Sequence, residues 1–188
     1  MNFSKFTIPL FTCILIQGCG SLENRYATTT IPLEAATDNR AVILMSSGAP
    51  QHCFSTSTAI AARDARTKKL TNPGVFIAVD SYVQPSDFPT HHGLLSAFTL
   101  PPGSYYFEPG IANPFVTGIR IPTFTFEARA GETTYIGELF MLQACGLNTA
   151  FEVRDKFDRD LKMAITKNKL FSQRQVIKRL MVTGETIN

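Results

Sequence analysis

The sequence predicts a mainly β protein, an antiparallel β-sandwich carrying one or two amphipathic helices at its C-terminal end. Three observations predict it. From Ala41 to Arg154 the hydrophobic period is two, the spacing of half-buried strands. Turn residues interrupt that pattern often, as Asn72-Pro73-Gly74, Pro101-Pro102-Gly103 and Ala130-Gly131. Beyond Asp155 the apolar residues shift to helical spacing. Eight or nine short strands broken by such turns are what a two-sheet sandwich requires.

Ala41–Ser47 (AVILMSS) is almost continuously apolar, which suits a strand buried on both faces. Cys53–Arg63 alternates, with Phe54, Thr56, Thr58, Ile60 and Ala62 on one side. Lys68, Lys69, Asn72, Pro73 and Gly74 then mark an exposed turn. Strands follow at Val75–Val79 and Leu94–Leu100, with a polar loop between them. Pro101-Pro102-Gly103 turns the chain into Ser104–Phe107, because proline fixes φ and glycine tolerates the left-handed region. Thr123–Ala128 (TFTFEA) points Phe124, Phe126 and Ala128 inward. Strands at Thr133–Leu142 and Thr149–Arg154 complete the set. Tyr105, Tyr106, Phe107, Phe124, Phe126 and Tyr135 lie on these strands and read as core. Phe115, between Asn113-Pro114 and Thr117-Gly118, falls in a loop and is a candidate partner contact.

In Lys156–Lys167, Phe157, Leu161, Ala164 and Ile165 share a helical face, with Asp155 as candidate N-cap. A second helix is expected over Ser172–Val182, with Val176, Ile177, Leu180 and Met181 on one face. Residues 154–188 hold nine Lys or Arg against four acids, a net charge of about +5. Lys162, Lys169, Arg174 and Lys178 could form a basic patch for anionic headgroups, cell-wall carboxylates or an acidic partner. The same residues also suit the solvated faces of two helices.

The N-terminus has the parts of an export signal: Lys5, an apolar stretch Phe6–Ile16, and Gly18 before Cys19. That stretch is shorter than the ~20 residues of a spanning helix. Leu15-Ile16-Gln17-Gly18-Cys19 resembles the lipobox of bacterial lipoproteins, and the resemblance implies acylation at Cys19 with removal of residues 1–18. Gly20 follows the cysteine where an Asp would imply inner-membrane retention, so the resemblance implies the outer membrane, facing the periplasm. Residues 19–40 then read as a lipidated polar tether, 41–154 as the sandwich and 155–188 as a basic helical segment packed on it. After processing, Cys53 and Cys145 remain as a pair in an oxidising compartment. A bridge between them would close a loop of about 92 residues. Two buried free thiols are the alternative.

Leu100-Pro101-Pro102-Gly103-x-Tyr105, Phe124-x-Phe126 and Ala130-Gly131-Glu132-Thr133-Thr134-Tyr135-Ile136-Gly137 resemble motifs of a large group of uncharacterised bacterial lipoproteins. Those carry a transthyretin-like or carboxypeptidase-regulatory-like sandwich of Ig-like build. The resemblance covers roughly residues 41 to 165. It implies the fold and says little about function, because these motifs make turns rather than sites.

Candidate chemistry is sparse. His91-His92 is a conceivable metal pair with His52 and Cys53, but adjacent residues in an extended segment face opposite ways. The same divergence argues against a His52–Cys53 nucleophile pair. Asp80, Asp87, Glu108, Glu127 and Glu138 show no acid–base spacing, and no phosphate-cradling glycine loop is present. The expectation is therefore a non-enzymatic envelope module, without cofactor, that binds or scaffolds a protein complex or peptidoglycan. Nucleic acid is not an expected partner. The alternative is an accessory or carbohydrate-binding module of an exported hydrolase system, although the chain has no Trp for stacking on sugars.

Overall fold

The structure, a computed structural model, describes residues 26–27, 39–54, 57–111, 121–145 and 150–187. Among the described residues, ten strands form two five-stranded sheets. They are β1 (Ala41–Ala49), β2 (Thr58–Asp64), β3 (Phe76–Ala78), β4 (His92–Leu100), β5 (Gly103–Ile111), β6 (Ile121–Ala128), β7 (Thr133–Met141), β8 (Phe151–Arg154), β9 (Val176–Lys178) and β10 (Val182–Ile187). One sheet runs β4-β1-β7-β8, with β9 also paired to β7. The other runs β10-β6-β5-β2-β3. The mainly β sandwich expected from the period-two pattern is present.

Every residue of β1 is buried, because the strand faces two cores. Ala41, Ile43 and Met45 point between the sheets, where they meet Phe107, Phe124, Phe126, Ile136 and Leu139. Val42 and Leu44 point outward into a second core with Tyr135, Leu95, Ala164 and Phe171. The helix α1 (Phe157–Lys167) and a 3-10 turn over Lys169–Gln173 cover that outer face. Asp155 lies one residue before the helix boundary, which falls at Lys156, and its Oδ1 accepts from the Phe157 N–H at 3.1 Å.

Three departures from the sequence reading matter. The second helix expected over Ser172–Val182 does not form. Asn168 is extended and ends α1, and its side chain accepts from the Leu170 N–H to start the 3-10 turn. Val176–Lys178 then pairs with Thr133–Tyr135, the half of β7 that the four-residue β8 does not reach. Unpaired backbone at a sheet edge, offered to β-branched residues, outweighs the apolar spacing. The C-terminal segment is thus part of both sheets rather than a helical appendage. Second, β1–β7 and β7–β9 are parallel pairs within an otherwise antiparallel sandwich. Parallel pairing suits strands covered on both faces. Third, ordered structure precedes Ala41: Ala27 bridges Ser96 on the open edge of β4, and the Tyr26 carbonyl accepts from the Ala97 N–H at 2.8 Å. Phe115 and Cys19 lie outside the described residues.

The Cys53–Cys145 disulfide joins the loop after β1 to the loop after β7, with Cα atoms 5.3 Å apart. β2 begins at Thr58 rather than Cys53, since the Cys53 N–H is bonded to the Asp80 carbonyl at 2.6 Å. A bridge closing a loop of 92 residues restricts the unfolded chain by about 4 kcal/mol on the loop-entropy account. Cys53→Ala/Cys145→Ala should therefore lose about 2–5 kcal/mol of unfolding free energy. Urea titration of both forms, with and without reductant, checks this; an unchanged midpoint would contradict it.

Candidate functional site

The outer face of the first sheet carries a buried polar cluster directly under α1. β1 alternation sends Ser46 outward, and α1 brings Asp160 down onto it, one turn before Ala164. Asp160 Oδ2 accepts from the Ser46 hydroxyl at 2.6 Å and from the Tyr135 hydroxyl at 2.8 Å. Its Oδ1 accepts from Arg159 Nε at 2.7 Å. The Arg159 guanidinium also reaches Glu138 Oε1 at 2.7 Å and Ser46 Oγ at 3.1 Å. Ser46, Tyr135 and Asp160 are fully buried and Glu138 nearly so, so these bonds replace the water each group lost.

A bulge makes the cluster possible. From Tyr135, strict alternation would turn Glu138 to the inner core. Between Leu44–Tyr135 and Ser46–Glu138 the pairing gains one residue on β7, and Gly137 takes φ 104°. The extra residue returns Glu138 to the outer face beside Arg159. Only glycine adopts that conformation cheaply, and an added Cβ would meet Val153 Cγ1 at 3.0 Å.

His91 lies at the rim of this cluster. Gly48 and Gly93 face each other in register across β1 and β4, and the imidazole fills the space their missing side chains leave. The ring stacks on Phe88 at 4.8 Å and tilts against Phe140 at 5.6 Å. Its Nε2 is 3.3 Å from Glu138 Oε1. Arg159 lies over the other aromatic wall, 4.1 Å from the Phe88 centroid, and Arg154 covers Phe140 at 3.5 Å. The loop that brings His91 here is tied by Ser86, whose hydroxyl bonds the backbone of Phe88, His91 and Gly93. An ion pair between Asp87 and Lys167 fastens the same loop to α1.

Electrostatics follow burial. Burial, reinforced by the Asp160 carboxylate, pushes the Tyr135 hydroxyl far above its ordinary range, so it stays a donor. Burial alone would lower Arg159, but its bonds to Asp160 and Glu138 outweigh that and hold it charged. Burial lowers His91, with Glu138 offsetting part of the effect. Ser46, Tyr135, Glu138, Arg159 and Asp160 satisfy one another, which makes the cluster a lock between helix and sheet.

His91 and His92 diverge as adjacent residues should: His92 faces His52 across 5.9 Å, at the far pole of the sandwich. At that pole Cys53 and Cys145 are spent on their bridge, so the Cys53–Asp80–Cys145 group offers no thiolate to a metal. Asp80 instead accepts from the Thr58 and Cys145 N–H groups. Exposed beside the bridge, Phe54 (75%) and Tyr82 (52%) sit with ring centroids 5.2 Å apart, and His52 packs edge-on to Phe54 at 4.7 Å. Of the expected basic patch, Lys178 is paired with Asp155 at 2.7 Å, Lys162 and Lys169 are exposed, and Arg174 is half-buried. An open cleft of about 410 Å³ next to β5 and β6 is lined by Ser104, Tyr105, Phe126, Arg179 and Leu180, with Arg179 bonded to Glu132.

Sequence reasoning missed the Ser46–Asp160–Arg159–Glu138 cluster, whose members are scattered over three elements. Gly137 inside an apolar strand was the one local signal of the bulge. No family model, curated protein or solved structure matches the chain.

Asp160→Ala would leave the buried Ser46 and Tyr135 hydroxyls without their acceptor and half-buried Arg159 without one of its two carboxylates. A loss of about 3–5 kcal/mol is expected by denaturant titration, and Ser46→Ala should cost about 1 kcal/mol. Burial lowers His92 as well as His91. Near pH 6.5 the unfolded chain takes up protons that the folded imidazoles refuse. Stability should therefore be full above about pH 6.5 and fall as pH drops through that value toward the folded-state pKa values. Melting temperatures between pH 7.5 and 5.5, with His91→Gln and His92→Gln as flatter controls, test this. A melting temperature independent of pH in that range would refute it.

Proposed function

We propose that this chain is an envelope lipoprotein, anchored through an acylated Cys19 in the outer membrane, whose periplasmic sandwich binds or scaffolds a partner without catalysis. Among the described residues no helix is long and apolar enough to cross a membrane, so on this reading attachment rests on the lipid. The oxidised Cys53–Cys145 pair suits the periplasm. The observation that carries the binding role is the polarity of the domain. β1 starts at Ala41, where the chain arrives from its N-terminal segment, and its nine residues end at the pole with the exposed His52–Phe54–Tyr82 surface. A strand of that length separates the poles by about 30 Å. Aromatic side chains gathered at the pole away from the anchor suit contact with a protein complex or the cell wall.

The mutual satisfaction of Ser46, Asp160, Arg159 and Glu138 supports a binding rather than a catalytic reading, since none is held ready for a substrate. A second reading, contact with a glycan, draws on the exposed Phe54–Tyr82 pair, because aromatic faces stack on sugar rings.

Two experiments test the proposal. Metabolic labelling with palmitate should mark the wild-type protein and fail for Cys19→Ser; a labelled variant or an unlabelled wild type would overturn the anchor. Crosslinking in intact envelopes, followed by pulldown, should recover one stoichiometric protein partner that Phe54→Ala/Tyr82→Ala loses. Enrichment of muropeptides or glycan alone would favour the second reading, and recovery of nothing would end both.

A further inference from the structure

We propose that the β2–β3 hairpin is a membrane-facing surface that rests on anionic phospholipid headgroups, an inference that rests on the lipid anchor at Cys19. Tyr26 is the starting point. Its hydroxyl donates to the Gly74 carbonyl at 2.7 Å and accepts from the Phe76 N–H at 3.3 Å. Its own backbone is bonded to β4, and its ring meets Phe98 edge-on at 6.1 Å. Tyr26 thus fastens the N-terminal segment to β3 and β4 at once.

That contact limits reach. Tyr26 is seven positions beyond Cys19, and even at full extension that stretch spans at most about 25 Å. Without the contact, the leash would run to Ala41 and reach roughly three times as far. An acylated Cys19 therefore holds Gly74 and Phe76 close to the headgroups whatever path the linking residues take.

The hairpin has the composition for that position. Leu70 (43%) and Phe76 (51%) are large apolar side chains left exposed. Arg66, Lys68 and Lys69 are exposed in the turn between Asp64 and Leu70. Asp64 is the one carboxylate of the turn, and it is occupied in accepting from the Arg66 and Thr67 N–H groups. Bonds from those backbone and side-chain donors hold its carboxyl below the ordinary range, so it stays charged and offsets one of the three cations. Cations with interleaved apolar side chains match an anionic bilayer surface, where each Lys or Arg strengthens attraction about fivefold and apolar groups enter the interface. With the hairpin down, the Phe54–Tyr82 pole points away from the membrane.

The chain has no Trp, so Phe76→Trp gives a single fluorescent reporter. The acylated full chain carrying it would be reconstituted in vesicles of equal parts phosphatidylglycerol and phosphatidylethanolamine, with brominated acyl chains. The expected result is blue-shifted emission quenched by the bromines. Quenching should drop at least severalfold in phosphatidylcholine vesicles, in Arg66→Glu/Lys68→Glu/Lys69→Glu, and in Tyr26→Phe, which keeps the ring but loses both hydrogen bonds. Flotation with the vesicles reads anchoring separately and should persist in all of these variants. Flotation with an unquenched reporter overturns the surface and leaves the anchor standing. Quenching that ignores headgroup charge overturns it too. If the protein fails to float, the anchor fails, and quenching at raised vesicle concentration still decides the surface.

Discussion

Asp160 is a carboxylate with no access to water, on a helix laid across an apolar sheet. Left alone it would destabilise the fold severely, since an unpaired buried charge costs several kcal/mol. The three hydrogen bonds its carboxylate accepts therefore dictate where α1 lies, which rotamers Ser46 and Tyr135 adopt, and where Arg159 reaches. The ordering continues outward through Glu138 to the His91 rim and the loop behind it. Hydrophobic contacts of Val42, Leu44 and Ala164 would accept many helix positions, whereas the carboxylate accepts few.

A sandwich of two open sheets has exposed edges, and this one closes them by different means. On one side, β9 belongs to the first sheet and β10 to the second, so a single short link crosses between them. On the other, Tyr26 joins β4 to β3 through one hydroxyl and its own backbone. The disulfide ties the far pole. Covering edges in this way removes backbone donors that would otherwise recruit foreign strands. It also makes the N-terminal segment part of the domain, which is why a polar tether and a docked strap are compatible descriptions of successive parts of one stretch.

The proposed anchor and the two proposed surfaces would form one scheme. Acylation would hold the hairpin low, and the aromatic pole would then present outward, about one strand length away. On the proposed reading, binding energy at that pole would reside in a few aromatic side chains and the rest of the sandwich would serve as a rigid spacer.

Local pattern was enough for most strands. Alternation at Thr123–Ala128, the continuous run at Ala41–Ser47 and the turns at Pro101–Gly103 and Ala130–Gly131 each report a neighbourhood of a few residues, where sterics and burial act directly. The pairing of Cys53 with Cys145 was legible because the expected signal removal and acylation at Cys19 leave these two cysteines as the remaining pair. The sequence by itself determined the sandwich class and the helix after Asp155, and it pointed to that pairing with two free thiols left as the alternative. Only the tertiary structure decided that Val176–Lys178 is a strand, that Glu138 faces Arg159 across a bulge at Gly137, and that Tyr26 straps two sheet edges. Each of those depends on an unsatisfied backbone edge or a buried charge supplied by residues far away in the chain, and no local period records such a partner.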